Sequence, residues 1–462
     1  MKTGLRVAAI VCAVLLSPLA RAAEPARKPN VIFIICDDLG YGDVGAYGQK
    51  KIKTPNIDRL AKEGMLFTQA YSGSPVCAPS RSCLLTGQHT GRTAVRTNPR
   101  YARGWDRKQG DVPLPADAAT FPKLFKQAGY ATAAIGKWGL GRPGTSGDPK
   151  NHGFDHFFGY ADHGAAHEYY PDSLWRNDQR VELKDKQYSH DLFAAEALDV
   201  VRKHKADPFL LYVAFTIPHA KLQVPGVEPY ADESWPDSEK RFAAMITRMD
   251  GDVGRLVALL DELKIADDTL VVFTSDNGPH QEGKHSPDFF DSNGPLRGIK
   301  RDVTEGGIRV PLIVRWPGKV AAGARSDLVT ANWDLLPTFA DAIGAKPPAK
   351  VDGVSILPTL LGKGDQQKQH DYLYWEFNER GGKQALRTGD WKALRTQMVK
   401  APNGPLKLYN LKDDVGETRD VAAQHPDVVK RIEKLLAEAY VPTDRFERWS
   451  PGRGGKDDEE VE

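Results

Sequence analysis

The segment Lys28-Pro29-Asn30-Val31-Ile32-Phe33-Ile34-Ile35-Cys36-Asp37-Asp38-Leu39-Gly40-Tyr41-Gly42-Asp43 decides the architecture. Its apolar run is β-branched and unbroken, without the alternation of a half-exposed edge strand. A run of this kind predicts a central parallel strand covered on both faces. It stops at the acidic pair Asp37-Asp38, and the glycines that follow allow a sharp turn. In an open α/β sheet, ligands meet the loops at the carboxyl ends of the strands. Adjacent side chains on a strand diverge, so the pair can converge only if the strand has ended there.

Three further apolar runs end the same way. Tyr130–Ile135 reaches Gly136-Lys137-Trp138, Phe209–Ile217 reaches Pro218-His219, and Thr269–Thr274 reaches Ser275-Asp276-Asn277-Gly278. Met65–Tyr71 and Val310–Val314 also read as strands. Between them, helical spacing is expected over 57–63 with Thr54-Pro55 at its start, over 120–127, 189–203 and 239–264, and around 332–343. The expected fold is α/β: a large mixed, mostly parallel sheet flanked by helices. Beyond about residue 365, short strands at 372–377, 385–394 and 406–411 precede an amphipathic helix over 426–440. They predict a smaller C-terminal antiparallel sheet and helix. The expected division is a signal peptide at 1–22, a catalytic α/β domain at 23–365, an α+β subdomain at 366–450 and a flexible tail at 451–462.

The chain has 462 residues, 40% hydrophobic and 27% charged, a globular composition. Its formal charge of +2 gives no reason to expect nucleic-acid wrapping. Lys2 and Arg6 precede the apolar run 7–16, and Ala20-Arg21-Ala22 has the form of a cleavage site, so export to a periplasmic or extracellular location is expected. No later run is long enough to predict a stable membrane span. Cleavage would leave Cys36, Cys77 and Cys83, which is no disulfide framework. Cys36 reads as a buried thiol.

In Val76-Cys77-Ala78-Pro79-Ser80-Arg81-Ser82-Cys83-Leu84-Leu85-Thr86-Gly87, Pro79 suits a first helical turn and places Cys77 just before the helix. Free N–H groups and Arg81 make the place attractive to an anion. On this ground Cys77 is either a nucleophile of lowered pKa or a quiet buried thiol. Cys77-Ala78-Pro79-Ser80-Arg81 with Leu85-Thr86-Gly87 resembles the signature of the formylglycine-dependent sulfatases. Asp37–Asp43, Thr54–Asp58, Gly136-Lys137-Trp138, Ser275–Gly278 and Glu305–Arg309 look like further segments of that family, in order, over about residues 29–318.

The resemblance implies that Cys77 is oxidised to formylglycine by a formylglycine-generating enzyme. The hydrate carries two hydroxyls on one carbon, so one oxygen can attack sulfur and the other can expel sulfate. It further implies metal ligation by Asp37, Asp38, Asp276, Asn277 and the modified Cys77. Such oxygen donors suit Ca²⁺, with Mg²⁺ also compatible by ligand type. Lys137 and Lys300 are implied to stabilise sulfate and the leaving oxygen, and His219 to protonate or hydrogen-bond that oxygen. Arg81 supports the formylglycine and the carboxylates, while Arg309 and Glu305 read as loop supports. One position departs from the family: Gly-Lys-Trp-His-Leu-Gly is common, but residues 136–141 read Gly-Lys-Trp-Gly-Leu-Gly. Gly139 stands where a histidine usually contacts the hydrate. His163, His167, His152 and His285 are the candidates for a replacement, with His163 and His167 preferred.

The segment from His152 to Arg176 is rich in histidine and aromatic residues, and His163, His167, Tyr170, Trp175 and Arg176 are candidates for a substrate wall. Ordinary loop packing is the alternative. The expected function is a sulfuric ester hydrolase acting on a sulfated carbohydrate, with galactose or N-acetylgalactosamine 4-sulfate favoured, or on an aryl sulfate. A phosphodiester or phosphonate monoester hydrolase and a catalytically weak glycan-binding protein are the alternatives.

Overall fold

The computed structural model describes residues 27–449 apart from 100, 101, 104 and 106–109. The expected signal peptide and the tail at 451–462 lie outside the described residues. The strands, in chain order, begin with β1 Asn30–Asp37, β2 Met65–Phe67, β3 Ala70–Tyr71, β4 Ala131–Lys137 and β5 His156–Tyr160. They continue with β6 Ser173–Arg176, β7 Gln179–Glu182, β8 Phe209–Pro218, β9 Thr269–Ser275, β10 Leu312–Arg315, β11 Ala324–Ser326 and β12 Thr330–Ala331. Four more follow: β13 Leu373–Phe377, β14 Lys383–Thr388, β15 Trp391–Thr396 and β16 Lys407–Asn410.

Among the described residues the large sheet runs β11-β2-β10-β9-β1-β8-β4-β5-β6-β7. Its centre is parallel: β1 pairs with β8 and β9, and β4 pairs with β8 and β5. The antiparallel pairings lie toward the two sides, through β10 and through β6 and β7. The core explains the unbroken apolar run of β1. Ile32, Ile34 and Cys36 pack on one face with Phe193, Met249 and Val253, whereas Val31, Phe33 and Ile35 pack on the other with Phe121 and Phe339. The long helix Asp237–Glu262 and the helix Ser189–His204 cover the first face.

The small sheet has the order β13-β14-β15-β16 and is antiparallel throughout. Alternation decides its two faces. Leu373, Trp375 and Phe377 turn toward Tyr71, Val76 and Trp333 of the main body. Tyr374, Leu386 and Leu408 meet Val428, Ile432 and Leu436 of the helix Pro426–Ala439.

Two strand expectations need correction. The predicted strand 385–394 is a hairpin, β14 and β15, turned through Gly389 in the left-handed region at φ +58°. The predicted strand Met65–Tyr71 divides into β2 and β3, which belong to different sheets because the chain breaks between Phe67 and Ala70 to pair first with β10 and then with β12.

The entry to the small sheet is tied to the body by His370, whose Nε2 lies 2.8 and 2.9 Å from the two oxygens of buried Asp334. Burial alone would lower the pKa of His370, but Asp334 outweighs it and the net direction is up from 6.5. A histidine raised on folding stabilises fully below its unfolded pKa, about 6.5, and loses that contribution as pH climbs through the folded value. His370→Gln should therefore cost most near pH 6, roughly 1–3 kcal/mol. The gap in thermal midpoint from the parent should narrow toward pH 9, and a gap that widens with pH would contradict the ion pair.

Candidate active site

The four strands whose apolar runs end in polar residues are neighbours, in the order β9-β1-β8-β4. Their carboxyl ends therefore bring Asp276, Asp37, His219 and Lys137 to one rim, all of them buried. Asp38 turns the chain itself: it sits in the left-handed region at φ +66°, a conformation that aspartate tolerates better than most residues. The following glycines serve close approach. A Cβ on Gly40 would lie 2.1 Å from the Ser292 carbonyl oxygen, so only glycine lets that loop close over the acidic pair.

The helix Cys77–Thr86 enters from the side, and Cys77 is its first residue rather than the residue before it. Cys77 Sγ lies 3.4 Å from Asp37 Oδ1 and 3.4 Å from Lys137 Nζ. Lys137 Nζ also donates to Asp37 Oδ2 at 2.5 Å. One turn along the helix, Arg81 is fully buried and forks onto Asp276 Oδ2 from Nε at 3.1 Å and Nη2 at 2.9 Å. Its Nη1 donates to the Lys137 carbonyl oxygen at 2.8 Å, so the helix, β9 and β4 are locked through one guanidinium.

On the other side, Lys300 Nζ donates to Asp38 Oδ2 at 2.7 Å and lies 3.3 Å from Glu282 Oε2. Arg301 holds the second oxygen of Glu282 at 2.7 Å. His219 Nδ1 lies 2.5 Å from the Ala220 carbonyl oxygen, while Nε2 faces Asp38 at 3.6 Å and Glu282 at 3.9 Å. Glu282 was missed by sequence reasoning; the available signal was an acidic residue in the loop that leaves the Asp276-Asn277 strand end.

The electrostatics follow from burial opposed by ion pairing. Burial would raise Asp37, but Lys137, Arg81 and Lys300 together hold its carboxyl below the usual carboxylate range. Asp276, exposed to the same burial with Asp37 beside it, is pushed up to about 7 despite Arg81. Burial and Lys300 drive His219 well below its ordinary value. The Cys77 thiol is pushed well up by burial and by Asp37. For the thiol itself this direction is opposite to that of a nucleophile of lowered pKa, because burial and the carboxylate outweigh Lys137.

Asp37, Asp38 and Asp276 each present an oxygen within 4.8 Å of the others. Beside them Asn277 donates its Nδ2 to Asp38 Oδ1 at 2.7 Å and leaves its own Oδ1 buried without a partner. Crowded buried oxygens with an orphaned acceptor form the donor set of a hard divalent cation.

The helical Cys-Ala-Pro-Ser-Arg turn, the carboxylates at two adjacent strand ends and the lysine of a third are on one rim. Residues 29–345 match the family model described as Sulfatase, and residues 299–441 match N-sulphoglucosamine sulphohydrolase, C-terminal. The chain belongs to the sulfatase family. This sulfatase is 34% identical over 392 residues to N-acetylgalactosamine-6-sulfatase of Canis lupus familiaris, covering 78% of this chain and 70% of that protein. It is 31% identical over 441 residues to human steryl-sulfatase, covering 77% and 73%. Among solved structures, Ps i-CgsB in complex with k-i-k-neocarrahexaose aligns with a TM-score of 0.78 and 31% identity over 91% of this chain and 95% of that one. The protein is a sulfatase-type hydrolase with a buried divalent-metal-type site.

The histidine-rich segment of the sulfatase is divided by the fold. His167 stands edge-on against His219, with ring centroids 4.3 Å apart. His163 lies against Gly139, and Asp111 Oδ2 lies 2.7 Å from its Nδ1. Tyr170 packs on Tyr188, and Trp175 lines a cavity of about 230 Å³ with Gly159, Glu168 and Arg180. Arg176 is held by both oxygens of Glu196, at 2.5 and 2.7 Å, and lies over the Phe158 ring; it does not join the groups around Cys77. Glu305 and Arg309 pair with each other at 3.2 Å, and Glu305 also takes Lys392 of β15 at 2.8 Å.

Proposed function

We propose that this sulfatase is exported and removes sulfate from a saccharide, with Cys77 converted to formylglycine by a formylglycine-generating enzyme. The observation that carries the reading is the position of Cys77 Sγ, 3.4 Å from both a carboxylate and a lysine inside a buried polar cluster.

Ca²⁺ held by Asp37, Asp38, Asp276, Asn277 and residue 77 would supply Lewis-acid polarisation of a sulfate oxygen; Mg²⁺ suits the same atoms. The protein residues prepare the site for an anion. Asp37, Asp38, Asp276 and Glu282 are faced by Lys137, Arg81, Lys300 and Arg301, so the acidic groups are matched by cations before a metal enters. Any added cation leaves the site with a positive balance that favours a sulfate ester. Lys137, beside residue 77, holds the nucleophile and a sulfate oxygen. Lys300 stabilises the leaving oxygen, and His219 protonates or hydrogen-bonds it. Arg81 fixes Asp276 and Asp37 and so keeps the metal side rigid.

The names of two similar proteins, one an N-acetylgalactosamine-6-sulfatase and one in complex with k-i-k-neocarrahexaose, support a saccharide substrate, and the first of them supports N-acetylgalactosamine as the sulfated sugar while naming the 6-position rather than the expected 4-position. His167 and Tyr170 are proposed to border it. Trp175, beside its cavity, is proposed to contact a more distant sugar, and Arg176 to hold that wall through Glu196. The catalytic unit is proposed to span 23–365 and the subdomain 366–450. Among the described residues no helix is long and apolar enough to cross a membrane, and the leader sequence at 1–22 supports export.

The test is a matched set of saccharide sulfates, an aryl sulfate, a phosphodiester and a phosphonate monoester, assayed on protein whose residue 77 has been characterised by peptide mass. Sulfate release is expected to exceed release from either phosphorus ester by at least about 100-fold in kcat/KM, about 2.7 kcal/mol of transition-state preference. Preference for a phosphorus ester would overturn the assignment.

A further inference from the structure

Gly139 follows the end of β4, two residues after Lys137, and sits in the left-handed region at φ +72°. A Cβ built on it would lie 2.1 Å from His163 Cε1, 2.5 Å from Nδ1 and 2.8 Å from Nε2. The imidazole of His163 therefore occupies the volume that a side chain at 139 would enter. Glycine at 139 and histidine at 163 form one steric unit, since any other residue at 139 displaces the ring.

The ring is held from one side. Asp111 Oδ2 accepts from the His163 backbone N–H at 2.7 Å and lies 2.7 Å from Nδ1. A carboxylate at Nδ1 places the hydrogen there and leaves the lone pair on Nε2. That Nε2 is buried with no hydrogen-bond partner among the described residues. Buried polar atoms are nearly always satisfied, so this one is open to a partner. Burial lowers the proton affinity of the ring against the pull of Asp111, and Lys137 lowers it further, so the free imidazole is a neutral acceptor.

Two of the other candidates also leave a buried ring nitrogen without a partner among the described residues, His152 Nδ1 and His285 Nε2, so contact with Gly139 is what singles out His163. His152 Nε2 meets the Ser146 carbonyl oxygen and the ring packs on Trp138; His285 Nδ1 meets Glu239 and the ring stacks on Phe242. His167 leans on His219. None of these three is among the atoms nearest the position of a Cβ on Gly139.

We propose that His163, positioned by Asp111, is the proton acceptor for sulfate release at residue 77, delivered from a separate loop into the space left by Gly139. The inference rests on the sulfatase reading and on conversion of Cys77. In the step assigned to it, the free hydroxyl on the sulfated carbon of residue 77 gives its proton to Nε2. The electron pair of that O–H bond becomes the second bond of the carbonyl, and the bond from carbon to the sulfate oxygen breaks. Sulfate leaves with that bonding pair. His163 then passes its proton to water, and water adds to the carbonyl to restore the two hydroxyls.

The experiment compares the parent enzyme with His163→Ala, His163→Gln, Gly139→Ala and Asp111→Asn. All are brought to equal conversion of residue 77 and checked for fold by thermal melting. With an aryl sulfate, kcat of both His163 variants and of Gly139→Ala should fall about 10²–10⁴-fold, with a smaller loss for Asp111→Asn. The aryl alcohol should still appear in a first-turnover burst, and peptide mass should show SO₃ retained on residue 77, which a merely structural defect would not produce. Gly139→Ala keeps His163 but displaces its ring, so it decides the matter even if a His163 variant folds poorly. Turnover within a few-fold of the parent without His163, or a fall in kcat with no retained sulfate, would overturn the inference. A parent enzyme that is converted yet inert toward every sulfate ester would instead sink the sulfatase reading.

Discussion

Alanine at position 77 should lower kcat/KM toward sulfate esters by about 10⁴-fold or more while leaving the thermal midpoint within a few degrees of the parent. The structural reason is that Cys77 carries no packing burden that alanine cannot bear. It is the first residue of its helix, and its side-chain contacts are Sγ to Asp37 and to Lys137. Asp37 and Lys137 remain paired with each other when Sγ is removed, so no buried charge is stranded. Serine at the same place separates two chemistries. A serine hydroxyl that accepts sulfate has no second hydroxyl on the same carbon, so at most one turnover should occur before the protein is left as a stable sulfate ester. Steady turnover by the alanine variant would remove residue 77 from the reaction, and steady turnover by an unconverted serine variant would remove the requirement for two hydroxyls.

Asp38→Asn should weaken divalent-cation binding by at least about 100-fold, read by titration of the chelator-stripped protein with Ca²⁺. Asparagine is the informative substitution because it accepts the same left-handed backbone, here φ +66°, and keeps the side chain's size. The change removes the charge and turns one of two accepting oxygens into a donor. Asp38 takes Lys300 at 2.7 Å and Asn277 at 2.7 Å, so the amide also leaves Lys300 leaning on Glu282 by itself. Activity should fall with metal occupancy and recover in part at high Ca²⁺, whereas activity lost by Cys77→Ala should not recover at any metal concentration. Unchanged Ca²⁺ affinity in Asp38→Asn would show that the buried carboxylates serve only to hold Lys300 and Arg81.

Much of this was readable along the chain. The unbroken run Val31–Cys36 predicts a doubly covered strand, and the two faces of β1 do enter two different apolar clusters. Four apolar runs ending in polar residues predict one rim, and those four strands are adjacent. The failures share a cause. Strand 385–394 was read through because Arg387–Lys392 contains only one glycine, yet Gly389 alone turns a hairpin. Glu282 and Asp111 carry no local mark, since their importance comes from Lys300 and His163, partners brought to them by tertiary contact. Arg176 reads in the sequence as part of a substrate wall and is held by Glu196, twenty residues along.

The order of residue types thus determined the class of fold and the polar strand ends, while the proposed role of residue 77 came from the resemblance of its segment to a family signature. Fold class and strand ends are encoded locally, because hydrophobic periodicity and turn residues act over a few positions. Pairing was decided only by the folded chain: Arg81 with Asp276, Lys300 with Asp38 and Glu282, and the imidazole of His163 laid over the bare backbone of Gly139. Charge compensation in a buried site depends on distances of a few ångströms between segments far apart in the chain, and no pattern read along one strand or loop contains them.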